Sequence, residues 1–290
     1  MADLMWIAYS AGYLVFAVIF LLIGKKFFDL LTPYSVNIQL THKDNVAVGV
    51  LVVGFLLGLA CILCGVFAGD GAEEPSLAVF LNELIEVGLY GLLGMVLLFV
   101  AGIINDKVVL HRFSNQTEIV ASGNVAVAVI MAATYVGSAL MIAGGIQGCL
   151  GVSSMLISFG VGQIALTLFA GLYQLITRYD DQKELGEKQN VAAALAYGGN
   201  LVAYGLILMK GLSMDPSQAE VWTWQDRLIH AGYYAVVGGV LLIITRIIND
   251  RLFLPKAKLS QEIVEDRNLN AGLMAAALAL SMGAAMVFCL

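Results

Sequence analysis

Charged side chains are the first scarcity. Asp, Glu, Lys and Arg make up 12% of the 290 residues, against 60% hydrophobic, whereas a soluble domain carries about 25% charged residues. So few charges cannot cover a water-soluble globule of this length. The mean hydropathy of +0.88 means that much of the surface faces lipid. Basic excess is also missing. A net charge of −6 gives no electrostatic footing for nucleic acid. The opening Met1-Ala2-Asp3-Leu4-Met5-Trp6 has no basic n-region and runs straight into an apolar stretch, so no cleavable signal peptide is expected.

Cysteine and histidine are few. Cys61-Ile62-Leu63-Cys64 has the spacing of a redox or zinc pair but lies in an apolar run, with nothing nearby to complete a zinc tetrahedron. Buried apolar packing is expected there, and no metal or cofactor. Cys149 and Cys289 stand apart. His42, His111 and His230 fall in separate segments. There is no H-E-x-x-H, no G-x-S-x-G and no phosphate loop, so no catalytic set is expected.

Long apolar runs are what the chain does have. Eight of them, about 4–23, 46–68, 84–104, 125–146, 152–176, 191–209, 228–246 and 269–290, reach the roughly 20 residues that cross a hydrocarbon core. Backbone polar groups cannot stay unpaired in lipid, so runs this long read as helices. The class is all-α, a polytopic membrane protein. Odd-numbered loops and the helix ends beside them carry 13 of the 15 Lys and Arg; only Lys210 and Arg227 fall on the other side. The positive-inside rule then places the odd loops in the cytoplasm and both termini outside. The acidic residues Asp70, Glu73 and Glu74 fall in an outer loop.

The chain also repeats itself. "IINDKVVLHRF" begins at Ile103 and "IINDRLFLPKA" at Ile247, 144 positions on. At the same shift Gly88, Tyr90 and Gly94 meet Gly232, Tyr234 and Gly238, and Glu118-Ile-Val meets Glu262-Ile-Val. At a shift of 145, Thr32, Tyr34 and Asn45 meet Thr177, Tyr179 and Asn190. Two repeats follow, 1–150 and 151–290. Four spans each is an even number, so the copies are parallel rather than inverted. Within each copy every even-numbered span opens on Asn and small residues: Asn45-Val-Ala-Val-Gly, Asn124-Val-Ala-Val-Ala, Asn190-Val-Ala-Ala-Ala and Asn268-Leu-Asn-Ala-Gly. A helix hairpin used four times is expected.

The Thr32-Pro33-Tyr34 loop, the Asn-Val-Ala starts and the Asn-Asp-Lys/Arg…Glu-Ile-Val…Asn pattern resemble the bacterial inner-membrane family catalogued as domain of unknown function 350, in two tandem copies. The second copy departs from the pattern at Thr177-Arg178-Tyr179 and at Asn268-Leu-Asn. The resemblance implies four spans per copy and no established activity. Through the family's association with polyamine-related cytoplasmic proteins and membrane-stress proteins, it points to a soluble partner.

Candidate functional residues are few. Asn45, Asn124, Asn190 and Asn268 fit two readings: helix N-caps, or four helix N-termini that, with Lys43 and Lys188, receive an anion or a lipid phosphate. Asp106 and Asp250 sit at helix C-termini, where the dipole disfavours an acid. They are read as pairing with Lys107 and Arg251, or as reaching the start of a neighbouring even-numbered span. Gln163, Asn200 and Tyr204 are intramembrane polar groups, suited to interhelical hydrogen bonds or a site. Glu86 and His230 occupy equivalent places near the outer ends of spans three and seven and are open to titration. The expected function is a membrane scaffold or sensor that binds a cytoplasmic protein through loops 105–123 and 246–267. The alternative is a conduit for a small ion or metabolite along the axis of the repeat. The bilayer is the certain partner, and a homo-oligomer stays open.

Overall fold

A computed structural model of the chain describes residues 2–68, 76–147, 151–214, 222–253 and 257–290. Asp70, Glu73, Glu74, Cys149 and Lys256 lie outside the described residues. Eight helices are long and apolar enough to cross a membrane: α1 (Ala2–Leu31), α3 (Val46–Phe67), α4 (Leu77–Val108), α6 (Val125–Gln147), α7 (Val152–Ile176), α9 (Val191–Leu212), α10 (Trp224–Leu252) and α12 (Leu269–Cys289). Among the described residues there is no strand. Helices α1, α4 and α10 run past the apolar windows that announce them. An apolar run marks the stretch suited to hydrocarbon, whereas the helix continues until a turn stops it.

Four six-residue helices interrupt the loops that follow the odd-numbered spans: α2 (Val36–Thr41), α5 (Asn115–Val120), α8 (Asp181–Gly186) and α11 (Leu259–Val264). Ser35, Ser114 and Asp180 cap the first three through their side chains; Lys258 at the fourth does not. Each short helix ends in the same turn. Asp44, Gly123, Gln189 and Arg267 take left-handed φ values of 48°, 64°, 50° and 49°, and each is followed at once by the Asn that starts the next long helix. Gly123 alone adopts this conformation without a Cβ penalty. The repeating unit is therefore outer helix, short helix, left-handed residue, Asn, inner helix.

The four inner helices, α3, α6, α9 and α12, stand side by side in a row, each packed on the next. Helices in lipid gain little from the hydrophobic effect on meeting one another, so close backbone approach through small residues has to supply the attraction. A Cβ added to Gly54 would lie 2.3 Å from the Ala132 Cβ, one on Gly205 2.6 Å from the Gly137 Cα, and one on Gly199 2.5 Å from the Ala276 Cα. Outer helices α1, α4, α7 and α10 pack against this row. Helix α10 carries a π-turn at Tyr234–Gly238, and the Tyr204 hydroxyl donates to the Ala235 carbonyl within it, at 2.9 Å.

The four hairpins are parallel, and their inner helices pack each on the next, α3 on α6, α6 on α9 and α9 on α12. Helices α3 and α12 are the ends of this row. Cys64, expected to be buried, is exposed on α3, and Cys61 is half-buried, because α3 has no neighbour on that side.

The small-residue seam is directly testable. Gly54→Val should lower thermal stability in detergent by about 1–3 kcal/mol through overpacking. Gly160→Ala, where an added Cβ meets nothing within 4 Å, should be neutral or slightly stabilising. Equal effects in thermal unfolding of the two variants would show that the seam is not under close contact.

Candidate functional site

Each Asn at an inner-helix start is an N-cap. The side-chain oxygens of Asn45, Asn124 and Asn190 accept from the backbone N–H of Val48, Val127 and Ala193 at 3.1–3.2 Å, and that of Asn268 from Asn270 at 3.0 Å. The amide does two further things. It donates to a side chain six residues back: Gln39, Glu118, Glu184 or Glu262. In the first three it also donates forward to the short helix of the next hairpin. Asn45 reaches the Ile119 carbonyl at 3.0 Å, Asn124 that of Leu185 at 2.9 Å, and Asn190 that of Ile263 at 2.9 Å. Asn124 and Asn190 are buried, so their helix starts are closed by protein. Lys188 pairs with Glu184 at 2.5 Å, which takes it away from any anion at Asn190.

Neither Asp106 nor Asp250 forms an ion pair with its following basic residue among the described residues. The Asp250 carboxylate accepts from the Ser260 N–H at 2.7 Å. It thus meets the start of its own hairpin's short helix, not an even-numbered span. Asp29 does the same for Val36 at 2.6 Å. At Asp106 the backbone carbonyl accepts from Asn115 at 3.2 Å.

Gln163 belongs to a closed polar triad. Its amide donates to Asn105 Oδ1 at 2.7 Å, Asn105 donates to Ser138 Oγ at 3.2 Å, and Ser138 donates back to Gln163 Oε1 at 3.4 Å. The triad ties α4 and α6 of the first half to α7 of the second. Tyr204 stacks on Phe169 with ring centroids 4.1 Å apart. His230 meets the Gly211 carbonyl through Nδ1 at 3.0 Å and packs between Trp222 and Tyr234. Glu86 is exposed, whereas nearby Glu83 accepts the Tyr13 hydroxyl.

Asn200 and Asp250 are brought together, at a cavity of about 200 Å³ between the third and fourth hairpins. Its lining includes Tyr173, Tyr179, Arg246, Asn249 and Ala279. The origin of this cavity lies in the repeat. In the first half Phe28, Phe55 and Tyr135 form an aromatic cluster with centroids 4.8–6.3 Å apart, and Tyr135 lies over Gly102, whose added Cβ would meet its hydroxyl at 2.6 Å. The equivalent residues of the second half are Tyr173, Asn200, Ala279 and Arg246, and all four line the cavity. Replacing Tyr by Ala opens space. Replacing Phe by Asn and Gly by Arg makes it polar.

The Arg246 guanidinium sits 4.2 Å above the Tyr173 ring, a cation–π contact. Among the described residues it has no carboxylate at ion-pair distance. The Tyr173 hydroxyl and one oxygen each of Asp181 and Gln182 are buried without a hydrogen-bond partner among the described residues, an unusual concentration of unmet polar groups. Burial pushes the Asp181 carboxyl up to about 7. Asp180 and Glu184 add to the rise, while the Thr177 hydrogen bond and Arg246 oppose it. Burial likewise pushes the Tyr179 hydroxyl well above its ordinary value. Arg178 and Arg251 stand at the rim, exposed. No group of His, Cys, Asp and Glu that could hold a metal occurs among the described residues.

The sequence reading missed Arg246, Tyr173, Asp181 and Ala279. The signal was present as the places where aligned halves exchange an aromatic or glycine for a polar or small residue.

Eight membrane-length helices in four parallel hairpins define a multi-pass membrane protein built by tandem repetition. The family model described as Domain of Unknown Function (DUF350) matches residues 3–146 and again 149–290, so the chain belongs to that family and carries two copies of its domain. A UPF0719 transmembrane protein of Aquifex aeolicus is 23% identical over 274 residues, 92% of this chain and 94% of the relative. The UPF0719 transmembrane protein YshE of Bacillus subtilis is 29% identical over 108 residues, 37% of this chain and 72% of the relative. No solved structure matches.

Two outcomes follow from this geometry. Asn124→Ser keeps a cap oxygen but loses both amide donors, stranding the Leu185 carbonyl and the Glu118 side chain. It should cost about 1–3 kcal/mol, while Asn268→Ser should cost less than about 1 kcal/mol; denaturation midpoints of the two variants that coincide would contradict the forward hook. Asp181 makes stability fall with rising pH. Its folded value exceeds the unfolded one, so its contribution is fully present below about pH 4 and is lost as pH rises through about 7, with an upper bound of about 4 kcal/mol. Asp181→Asn should flatten the melting temperature between pH 5 and 8.

Proposed function

We propose that the protein is a membrane-embedded sensor whose cavity between the third and fourth hairpins takes a small anion from the cytoplasm. The four short helices would then present that state to a soluble partner. The observation that carries this reading is the conversion of the Phe28, Phe55, Tyr135 and Gly102 positions into Tyr173, Asn200, Ala279 and Arg246. The half-buried Arg246 guanidinium rests on the Tyr173 ring with no carboxylate within ion-pair distance among the described residues, and a phosphate or carboxylate oxygen is the partner suited to it. Arg178 and Arg251 at the rim favour the approach of negative charge.

The same reading puts the chain in a bacterial inner membrane with its short helices in the cytoplasm and both termini outside. The support is the distribution of 13 of 15 basic residues on the short-helix side. The two repeats, 1–150 and 151–290, serve different ends in this view: the first is a packed support and the second holds the ligand. No reaction is part of it. The conduit is the weaker alternative, since Asn105, Ser138 and Gln163 satisfy one another instead of lining a passage.

The experiment is thermal unfolding of the purified full chain with sodium phosphate or sodium malonate against chloride of equal ionic strength. An anion at 100 times its Kd should stabilise the wild type by about 2.7 kcal/mol. The double variant Arg246→Gly with Ala279→Tyr, which copies the first half, should fold and lose the response to both. An equal response in wild type and variant overturns the ligand reading. For orientation, a reporter active only in the cytoplasm should be silent when fused after Leu290 and active when inserted after Asp266; the reverse pattern overturns the topology.

A further inference from the structure

We propose that a second copy of this chain docks head to tail on the open ends of the row, with α12 of one copy against α3 of the next. The three interfaces inside the chain share one register, counted from each Asn. The ninth residue after one Asn meets the eighth after the next: Gly54 with Ala132, Ala133 with Gly198, and Gly199 with Ala276. The thirteenth meets the fifteenth: Gly58 with Ala139, Gly137 with Gly205, and Ala203 with Gly283. The twentieth meets the nineteenth: Gly65 with Ala143, and Gly144 with Met209.

Helix α12 carries the donor side of this register with nothing against it. Its ninth and thirteenth residues, Ala277 and Ser281, are exposed and still small, and its twentieth, Phe288, is 90% exposed. Helix α3 carries the receiving side. Val53 and Cys64 are exposed and Ala60 is half-buried. Ala277-x3-Ser281 keeps the small-x3-small spacing that lets membrane helices approach. Val53 stands where the inner interfaces have Ala or Gly, so the approach between copies is wider at that level.

The forward hook is incomplete in the same place. Asn45, Asn124 and Asn190 each give an amide hydrogen to the next short helix, at Ile119, Leu185 and Ile263. Among the described residues the Asn268 amide donates only to Glu262, and no further short helix stands beside it. The equivalent acceptor, the Leu40 carbonyl in α2, is at the other end of the row. A second copy brings the two together. An interface that uses different faces of each copy closes into a ring or extends until closure, so one exposed α3 and one exposed α12 per copy are satisfied together.

The test uses the full chain in native membranes, in a background with Cys61, Cys64, Cys149 and Cys289 replaced by Ala. One tagged copy carries Ala277→Cys and a differently tagged copy carries Val53→Cys. Copper–phenanthroline oxidation should give a disulfide-linked pair bearing both tags. Ala284→Cys with Val53→Cys, displaced by about 10 Å along the helix, should give at most a tenth as much. A mixed-tag yield no higher than this control overturns the proposal, as does a dominant Ala277→Cys pair with itself, which would mean a two-fold face. Native mass spectrometry of the unmodified chain released from lipid nanodiscs should show two or more copies, with a shift toward single chains on Ser281→Trp. A wild type that runs only as single chains leaves lipid as the occupant of both ends and overturns the proposal equally.

Discussion

One exchange organises the molecule. The Asn at the start of each inner helix caps its own helix with its oxygen, and Asn45, Asn124 and Asn190 also give an amide hydrogen to a carbonyl of the next hairpin. A side chain that both ends one turn and begins the next contact converts local helix capping into tertiary order. The hook is made where lipid gives way to water, so the bond fixes the level at which neighbouring helices start. Below that level the small residues meet in one register, because helices of equal pitch that begin together stay together. Gly54 against Ala132 and Gly199 against Ala276 are the same contact made at two places in the row.

Such a frame tolerates change at positions that touch neither hook nor seam. The first half fills the space beside Gly102 with Phe28, Phe55 and Tyr135. The second half keeps the Asn starts and the Gly199–Ala276 and Ala203–Gly283 seam contacts and alters these four. The result is a polar cavity lined also by Tyr179, Asn249 and Asp250, on a scaffold whose rigidity comes from elsewhere. The Asn105–Ser138–Gln163 triad binds the two halves, and Gln174 and Gln182 add donors to the Val109 carbonyl at 2.9 and 2.7 Å. The cavity thus rests against a support continuous with the first repeat.

Much of the architecture was legible in the residues. Eight apolar runs, the parallel duplication and the four Asn starts follow from hydropathy and self-similarity, since a helix in lipid must be long, apolar and internally bonded. The short helices were not legible. Six residues such as Asn115–Val120 carry too little periodicity, and they are helical because Ser114 caps one end while the left-handed Gly123 turn and the Asn124 tether close the other. The row was not legible either. Glycine spacing within a helix tells that something comes close, but not which helix comes.

What the sequence determined by itself was membrane residence, the number of spans, the common direction of the repeats, and the repeated Asn. Each depends on one segment's transfer into lipid or on matches along the chain. What only the tertiary structure decided was the partner of each amide, the two uncovered ends at α3 and α12, and the meeting of Tyr173, Asn200, Arg246 and Ala279. Those four residues come from four different helices and share no local pattern. Their chemistry emerges only when packing against the row gathers them around one cavity and sets the Arg246 guanidinium over the Tyr173 ring with no carboxylate at ion-pair distance among the described residues.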